Sequence, residues 1–192
     1  MQKLLHEISQ CQVCAEFLPL GPRPVLRASK HSKILIIGQA PGLKVHTTGV
    51  DWDDQSGKKL RTWLGVTDEV FYNSDNFGVI PMGFCYPGKA KTGDLPPRSE
   101  CKPQWHQQLL SKMPNVQLTI LIGQYAQKSY LENSAKKNLT ETVKNYYEYL
   151  PKYLPIPHPS PTNRFWMAKN KWFEMDVIPV LQQQVKEILE LS

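Results

Sequence analysis

Residues 33–57 read KILIIGQAPGLKVHTTGVDWDDQSG, and the first ten of them decide the fold. Ile34, Leu35, Ile36 and Ile37 form a short apolar run without alternation, the pattern of a strand buried on both faces of a parallel sheet. Gly38, Pro41 and Gly42 then prevent the strand from continuing. In open α/β sheets, ligands bind beyond the carboxyl ends of the strands. The loop Gly38-Gln39-Ala40-Pro41-Gly42 is therefore the first candidate site, and two later loops repeat the arrangement.

Working outward, Ser56 to Leu64 carries Leu60, Trp63 and Leu64 at helical spacing, with Asp53, Asp54 or Ser56 available as N-cap. Upstream, Leu4, Leu5 and Ile8 mark an N-terminal helix ending at Cys11-Gln12-Val13-Cys14, and Gly21-Pro22-Arg23-Pro24 reads as a turn. Downstream, Phe77 to Phe84 is a second strand, weakened toward its end by Pro81 and Gly83. Cys85 to Cys101 is a Pro/Gly/Lys-rich loop, long enough to need an anchor. Pro103 to Met113 reads as a helix, and Leu118 to Ile122 as a third buried strand ending at Gly123. A helix from Tyr125 to Leu131 follows, then one from Asn138 to Leu150 with Leu139, Val143, Tyr146, Tyr147 and Leu150 on one face. Tyr153 to Ile156 is a last strand, delivering His158-Pro159-Ser160-Pro161. The C-terminal helix carries Phe173, Val177, Leu181, Val185 and Ile188, with Pro179 near its start or kinking it. Strands alternating with helices predict an α/β fold: a three-layer α/β/α sandwich around a central, mostly parallel four-stranded sheet, in one domain over residues 1–192.

A chain of 192 residues is long enough for one proper core. No apolar run reaches the length of a bilayer span, and residues 1–10 carry Lys3, His6 and Glu7 where a signal peptide needs an apolar core. The reading is a soluble, cytoplasmic monomer with no membrane partner. Lys and Arg number 23 against 17 Asp and Glu, a net charge of +6 that suits a polyanion such as nucleic acid.

Three groups of residues carry chemistry. Cys11, Cys14, Cys85 and Cys101 form C-x2-C, a long gap and C-x15-C. In an intracellular protein four thiols indicate either a metal or buried residues. The second pair is too wide for a zinc ribbon, whereas an iron–sulfur cluster asks only that four thiolates converge in space. In the loop after the central strand, Gln39 can orient a water but cannot take its proton. Asp51, Asp53 and Asp54 are possible acceptors or helix caps, and Trp52 offers a flat apolar face or a core side chain. The third group is His158-Pro159-Ser160-Pro161-Thr162-Asn163-Arg164. A His held between prolines at the carboxyl edge of the sheet can donate a hydrogen bond to an anion forming on a substrate. Arg164, Phe165 and Trp166 follow; exposed, they would form a wedge or stacking platform for nucleic acid, and buried, part of the core.

Together these residues resemble the uracil-DNA glycosylase superfamily, in order and through nearly the whole chain. Gly38-Gln39-Ala40-Pro41-Gly42 is similar to the Gly-Glu-Ala-Pro-Gly of its iron–sulfur-containing fourth family, and the four cysteines have the layout of that family's [4Fe–4S] ligands. His158-Pro159-Ser160-Pro161 resembles the second motif, and its continuation Thr162-Asn163-Arg164 looks like the single-strand-selective class. The resemblance implies hydrolysis of the N-glycosidic bond of uracil or another deaminated base flipped out of DNA. It gives His158 the hydrogen bond to the departing base, Trp52 the stacking face, and Gly38, Ala40, Pro41 and Gly42 the pocket border. Residues 164–166 would fill the gap in the stack. Lys44, Ser160, Asn163, Arg164 and Phe165 would contact DNA, with Lys58, Lys89, Lys91 and Lys169 as further phosphate partners. The cluster would be structural.

Two departures stand out. Gln39 replaces the first-motif carboxylate. Asp54-Gln55-Ser56-Gly57, however, resembles the Asp-Ala-Ser-Gly of the fifth family, so Asp54 is the expected catalytic acid/base, with Asp53 in reserve. Pro81 stands four residues before Cys85, where the fourth family has the asparagine that reads the uracil edge. The rival readings are a catalytically silent member that binds nucleic acid or free base, and an enzyme of small nucleosides or nucleotides.

Overall fold

The computed structural model describes residues 1–191. Helix α1 (Gln2–Ser9) packs Leu4 and Ile8 inward, and the chain then turns through the first two cysteines into strand β1 (Ile34–Ile37). Short helix α2 (Leu43–Thr48) follows the glycine-rich loop, and α3 (Gln55–Leu64) and α4 (Asp68–Tyr72) precede β2 (Phe77–Val79). Beyond the long loop, a wide π-type turn (Lys102–His106) runs into α5 (Gln107–Leu110). Strand β3 (Leu118–Ile122), α6 (Gly123–Leu131), α7 (Leu139–Lys144), β4 (Tyr153–Ile156), α8 (Arg164–Lys169) and α9 (Ile178–Leu189) complete the order.

The four strands form one all-parallel sheet in the order β2-β1-β3-β4. β1 is central, and its four residues are fully buried, as the unbroken apolar run requires. Its side chains divide by the pleat. Ile34 and Ile36 join a core with Leu60, Trp63, Phe173, Val177 and Leu181 on one face. Leu35 and Ile37 join Leu4, Ile8, Leu109 and Ala126 on the other. Helices cover both faces, giving the three layers.

Some boundaries differ from the reading of the sequence. The second strand ends at Val79, not Phe84. Pro81 has no N–H to pair, and the chain beyond follows the first loop, with Met82 N–H donating to the Gly38 carbonyl (2.9 Å) and Gly83 N–H to that of Gln39 (3.0 Å). The helix expected over 138–150 stops at Lys144, and Tyr147, 61 % exposed, lies off its apolar face. The helix expected to 113 ends at Leu110. Pro179 sits in the first turn of α9, just after a π-type turn at Phe173–Val177, where its missing N–H costs nothing. Helices α2, α4 and α8 were not expected. Each spans only six, five and six residues respectively, too short to show an apolar period.

Among the described residues no helix is long and apolar enough to cross a membrane.

Candidate functional site

All four strands point their carboxyl ends at one cavity of about 490 Å³. β1 contributes Gly38 to Gly42, β2 contributes Pro81, β3 contributes Gln124 and Tyr125, and β4 contributes His158, Ser160, Thr162 and Asn163. The segment between α2 and α3 adds Asp51, Trp52 and Asp54. Residues more than a hundred positions apart in sequence thus face one volume, as the rule for open α/β sheets requires.

Asp54 is the N-cap of α3: its Oδ1 accepts the Gly57 N–H at 2.7 Å. This fixes the carboxylate and, among the described residues, leaves Oδ2 without a donor. Capping and a chemical role are therefore compatible in one residue. Asp53, the reserve candidate, does not line the cavity. It faces outward and pairs with Lys44 at 3.5 Å, which also occupies that proposed phosphate contact. Asp51 is held by Arg27. Gln39 lines the cavity while its Nε2 donates to the Leu95 carbonyl (3.3 Å), tying the first loop to the long one.

His158 lies beside Trp52, ring centroids 5.6 Å apart and inclined by 32°. Burial pushes its imidazole below the ordinary histidine value, and the Asp54 charge partly opposes that. A neutral ring at pH 7 donates one N–H without carrying charge. Asn163 donates its Nδ2–H to the His158 carbonyl at 2.7 Å, and Ser160 Oγ accepts the Thr162 N–H at 3.2 Å. Both side chains shape the histidine loop from within.

The wall at Pro81 is fixed from behind. Its carbonyl must accept, so His106 Nε2–H donates to it (3.1 Å), and Nδ1 then accepts the Tyr130 hydroxyl (2.6 Å). Phe84 stacks on the same imidazole at 5.5 Å. Burial lowers the His106 pKa to about 4. The unfolded chain, with a histidine near 6.5, takes up this proton first. The contribution to stability is therefore full above pH 6.5 and is lost as pH falls toward 4, by about 3 kcal/mol in total. We expect urea midpoints to drop across that window, with a shallower drop in His106→Gln.

Thr92, Gly93 and Asp94 also line the cavity, reached by a hairpin-like fold of the long loop in which Leu95 N–H donates to the Gly88 carbonyl (2.9 Å). Partial burial raises the Asp94 carboxyl above its usual range. Neither these residues nor Gln124 and Tyr125 were foreseen. Gly123, which ends β3, was the available signal for the latter pair.

Arg164 and Phe165 are exposed beside the site, Phe165 by 68 %, with the Arg164 guanidinium 4.8 Å from its ring centre. Trp166, expected beside them in a loop, turns inward from α8. Its Nε1–H donates to Thr140 Oγ1 (2.8 Å), and it packs edge-on against Trp172 and Phe173. It is core.

The four cysteines are free thiols and line a second, smaller cavity with Leu18, Phe84 and Trp105. Phe84 N–H donates to Cys101 Sγ at 3.4 Å. Burial pushes Cys85 up to about 11 and Cys101 to about 12, and neighbouring thiols add to both shifts. Among the described residues, no three Cys, His, Asp or Glu side chains are grouped to hold a metal ion.

The family model described as the uracil DNA glycosylase superfamily matches residues 27–182. That span begins after Cys11 and Cys14 and holds every residue of the main cavity except Val25. The matched span carries the glycine-rich loop on one side of the cavity and the histidine loop on the other, and this chain belongs to the uracil DNA glycosylase superfamily.

Proposed function

We propose that the protein is a DNA glycosylase that hydrolyses the N-glycosidic bond of uracil or another deaminated base. One observation carries this reading: Asp54, Trp52 and His158 meet in a single cavity at the carboxyl edge of the sheet. In the reaction the C1′–N bond breaks and its electron pair leaves with the base. His158 donates a hydrogen bond to the base oxygen on which that charge collects. Water bonds to C1′, and Asp54 Oδ2 takes its proton while its negative charge steadies the cationic sugar. Gln39, its amide N–H engaged with Leu95, keeps an oxygen with which to orient that water. Trp52 stacks on the extruded base. Arg164 and Phe165 face the strand outside, within a chain of net charge +6.

Purified protein incubated with oligonucleotides carrying uracil, hypoxanthine or xanthine, single-stranded and paired, is expected to leave abasic sites on at least one of them. Silence across the panel from protein that binds the same oligonucleotides would overturn the reading in favour of a binding module. His158→Ala is expected to lower turnover about 10²-fold with DNA affinity nearly unchanged. Equal loss of both would make the residue a DNA contact.

We further propose that Cys11, Cys14, Cys85 and Cys101 hold a [4Fe–4S] cluster. Four free thiols lining one cavity support it. The group would supply no chemistry to the bond cleavage. It would tie the N-terminal segment to the long loop that reaches the main cavity. Anaerobically purified protein is expected to carry about four iron atoms per chain, lost in Cys101→Ser. Iron-free protein with four freely alkylated thiols would sink the proposal.

A further inference from the structure

Trp52 has a backbone φ of +54°, in the left-handed region that a bulky aromatic residue rarely adopts. Such strain persists only where the surroundings over-determine it. Here two arginines do so, Arg61 buried and Arg27 partly buried. Arg61 Nη1 donates to the Trp52 carbonyl (3.3 Å) and to the Tyr72 hydroxyl (3.4 Å), while its Nε pairs with Asp68 (2.6 Å). Arg27 grips the preceding residue, Asp51, through two bonds of 2.9 and 3.1 Å, and its Nη1 donates to the Phe71 carbonyl (2.6 Å). Both guanidiniums lie 5.1 to 5.4 Å from the ring centres of Phe71 and Tyr72.

Two guanidiniums against one pair of rings repel each other, and burying them costs solvation that Asp51 and Asp68 only offset. An apolar filling would stabilise this region as well. What arginine adds is direction: a planar fork whose N–H groups point along fixed lines to several acceptors at once. All the acceptors lie on Asp51, Trp52 and helix α4.

We infer that Arg61, backed by the Arg27–Asp51 pair, is a positioning residue that locks Trp52 into the conformation in which it stacks on the extruded base. The inference rests on the stacking role proposed for Trp52. It makes that face prebuilt, so the base meets it without rearranging the loop, and binding rather than bond cleavage carries the benefit.

Arg61→Lys keeps a cation opposite Asp68 but cannot also reach the Trp52 carbonyl; Arg61→Met removes both contacts. In the ¹⁵N–¹H spectrum the Trp52 indole signal, identified by its absence in Trp52→Phe, is expected to shift or broaden in both variants. The other four of the five tryptophans should stay in place. In single-turnover assays the half-saturating enzyme concentration is expected to rise about tenfold in Arg61→Lys, and further in Arg61→Met, with the saturated rate changed less than threefold. A Trp52 signal unmoved in folded Arg61→Lys would overturn the inference, as would parallel loss of affinity, rate and melting temperature. If the wild type itself releases no base, the glycosylase reading has failed, and the indole signal still decides whether Arg61 fixes Trp52.

Discussion

Asp54→Asn is expected to slow base release by about 10²- to 10⁴-fold while leaving the fold as stable as before. The separation is possible because the two roles of Asp54 use different properties. As N-cap it needs one oxygen to accept the Gly57 N–H at 2.7 Å, and an asparagine amide oxygen serves equally well. As proton acceptor and counter-charge to the sugar cation it needs the negative carboxylate, which Asn lacks. The Asp54 charge also opposes the lowering of the His158 pKa, so its loss moves that imidazole further down and keeps it neutral. The hydrogen bond to the base oxygen therefore survives in the variant, and the rate loss isolates the carboxylate. Abasic-site formation under single turnover, measured beside a urea midpoint, checks both halves. An unchanged rate would mean that water ordered by Gln39 suffices for a sugar centre already nearly dissociated. A lowered midpoint would mean that the cap, and not the charge, was lost.

How much of this was legible beforehand depended on how local each signal is. The unbroken apolar run at 34–37 and the breaks after it gave the parallel sheet and the position of its ligand edge, because burial on both faces leaves an uninterrupted apolar run visible in four residues. His158 and the glycine-rich loop were legible for the same reason: each directly follows a strand. Trp166 was not. An Arg-Phe-Trp triplet reads alike in a loop or a short helix, and only the packing against Trp172 and Phe173 turns it inward. Asp53 and Asp54 differ by one residue, and the cap geometry of α3 separates them. Thr92 and Asp94 reach the cavity only because the long loop folds back on itself at Gly88 and Leu95, a contact without any sequence period. The two arginines behind Trp52 were invisible as a unit, since they lie 34 positions apart and meet only on the rings of Phe71 and Tyr72.

The second large effect concerns Gly57, where a single methyl group tests how firmly this loop is built. A Cβ on Gly57 would lie 1.7 Å from the Trp52 carbonyl oxygen and 2.6 Å from its carbon, both backbone atoms. No rotamer relieves such an overlap. Either the start of α3 moves or Trp52 does, and Trp52 is held by its carbonyl to Arg61 and through Asp51 to Arg27. Ordinary overpacking of a core is partly absorbed by side chains; here the obstacle is main chain, and the cost is expected at about 3 kcal/mol, the upper end for such changes. In an isolated helix the same change would be favourable, because Ala loses less entropy than Gly. The sign of the effect therefore reports the contact and not helix propensity. Gly57→Ala is expected to lower the urea midpoint strongly and to raise the half-saturating enzyme concentration for base release, since Trp52 must leave its place beside His158. If the protein keeps its stability and its activity, the close approach of α3 to the Trp52 carbonyl is absent, and with it the locked stacking face.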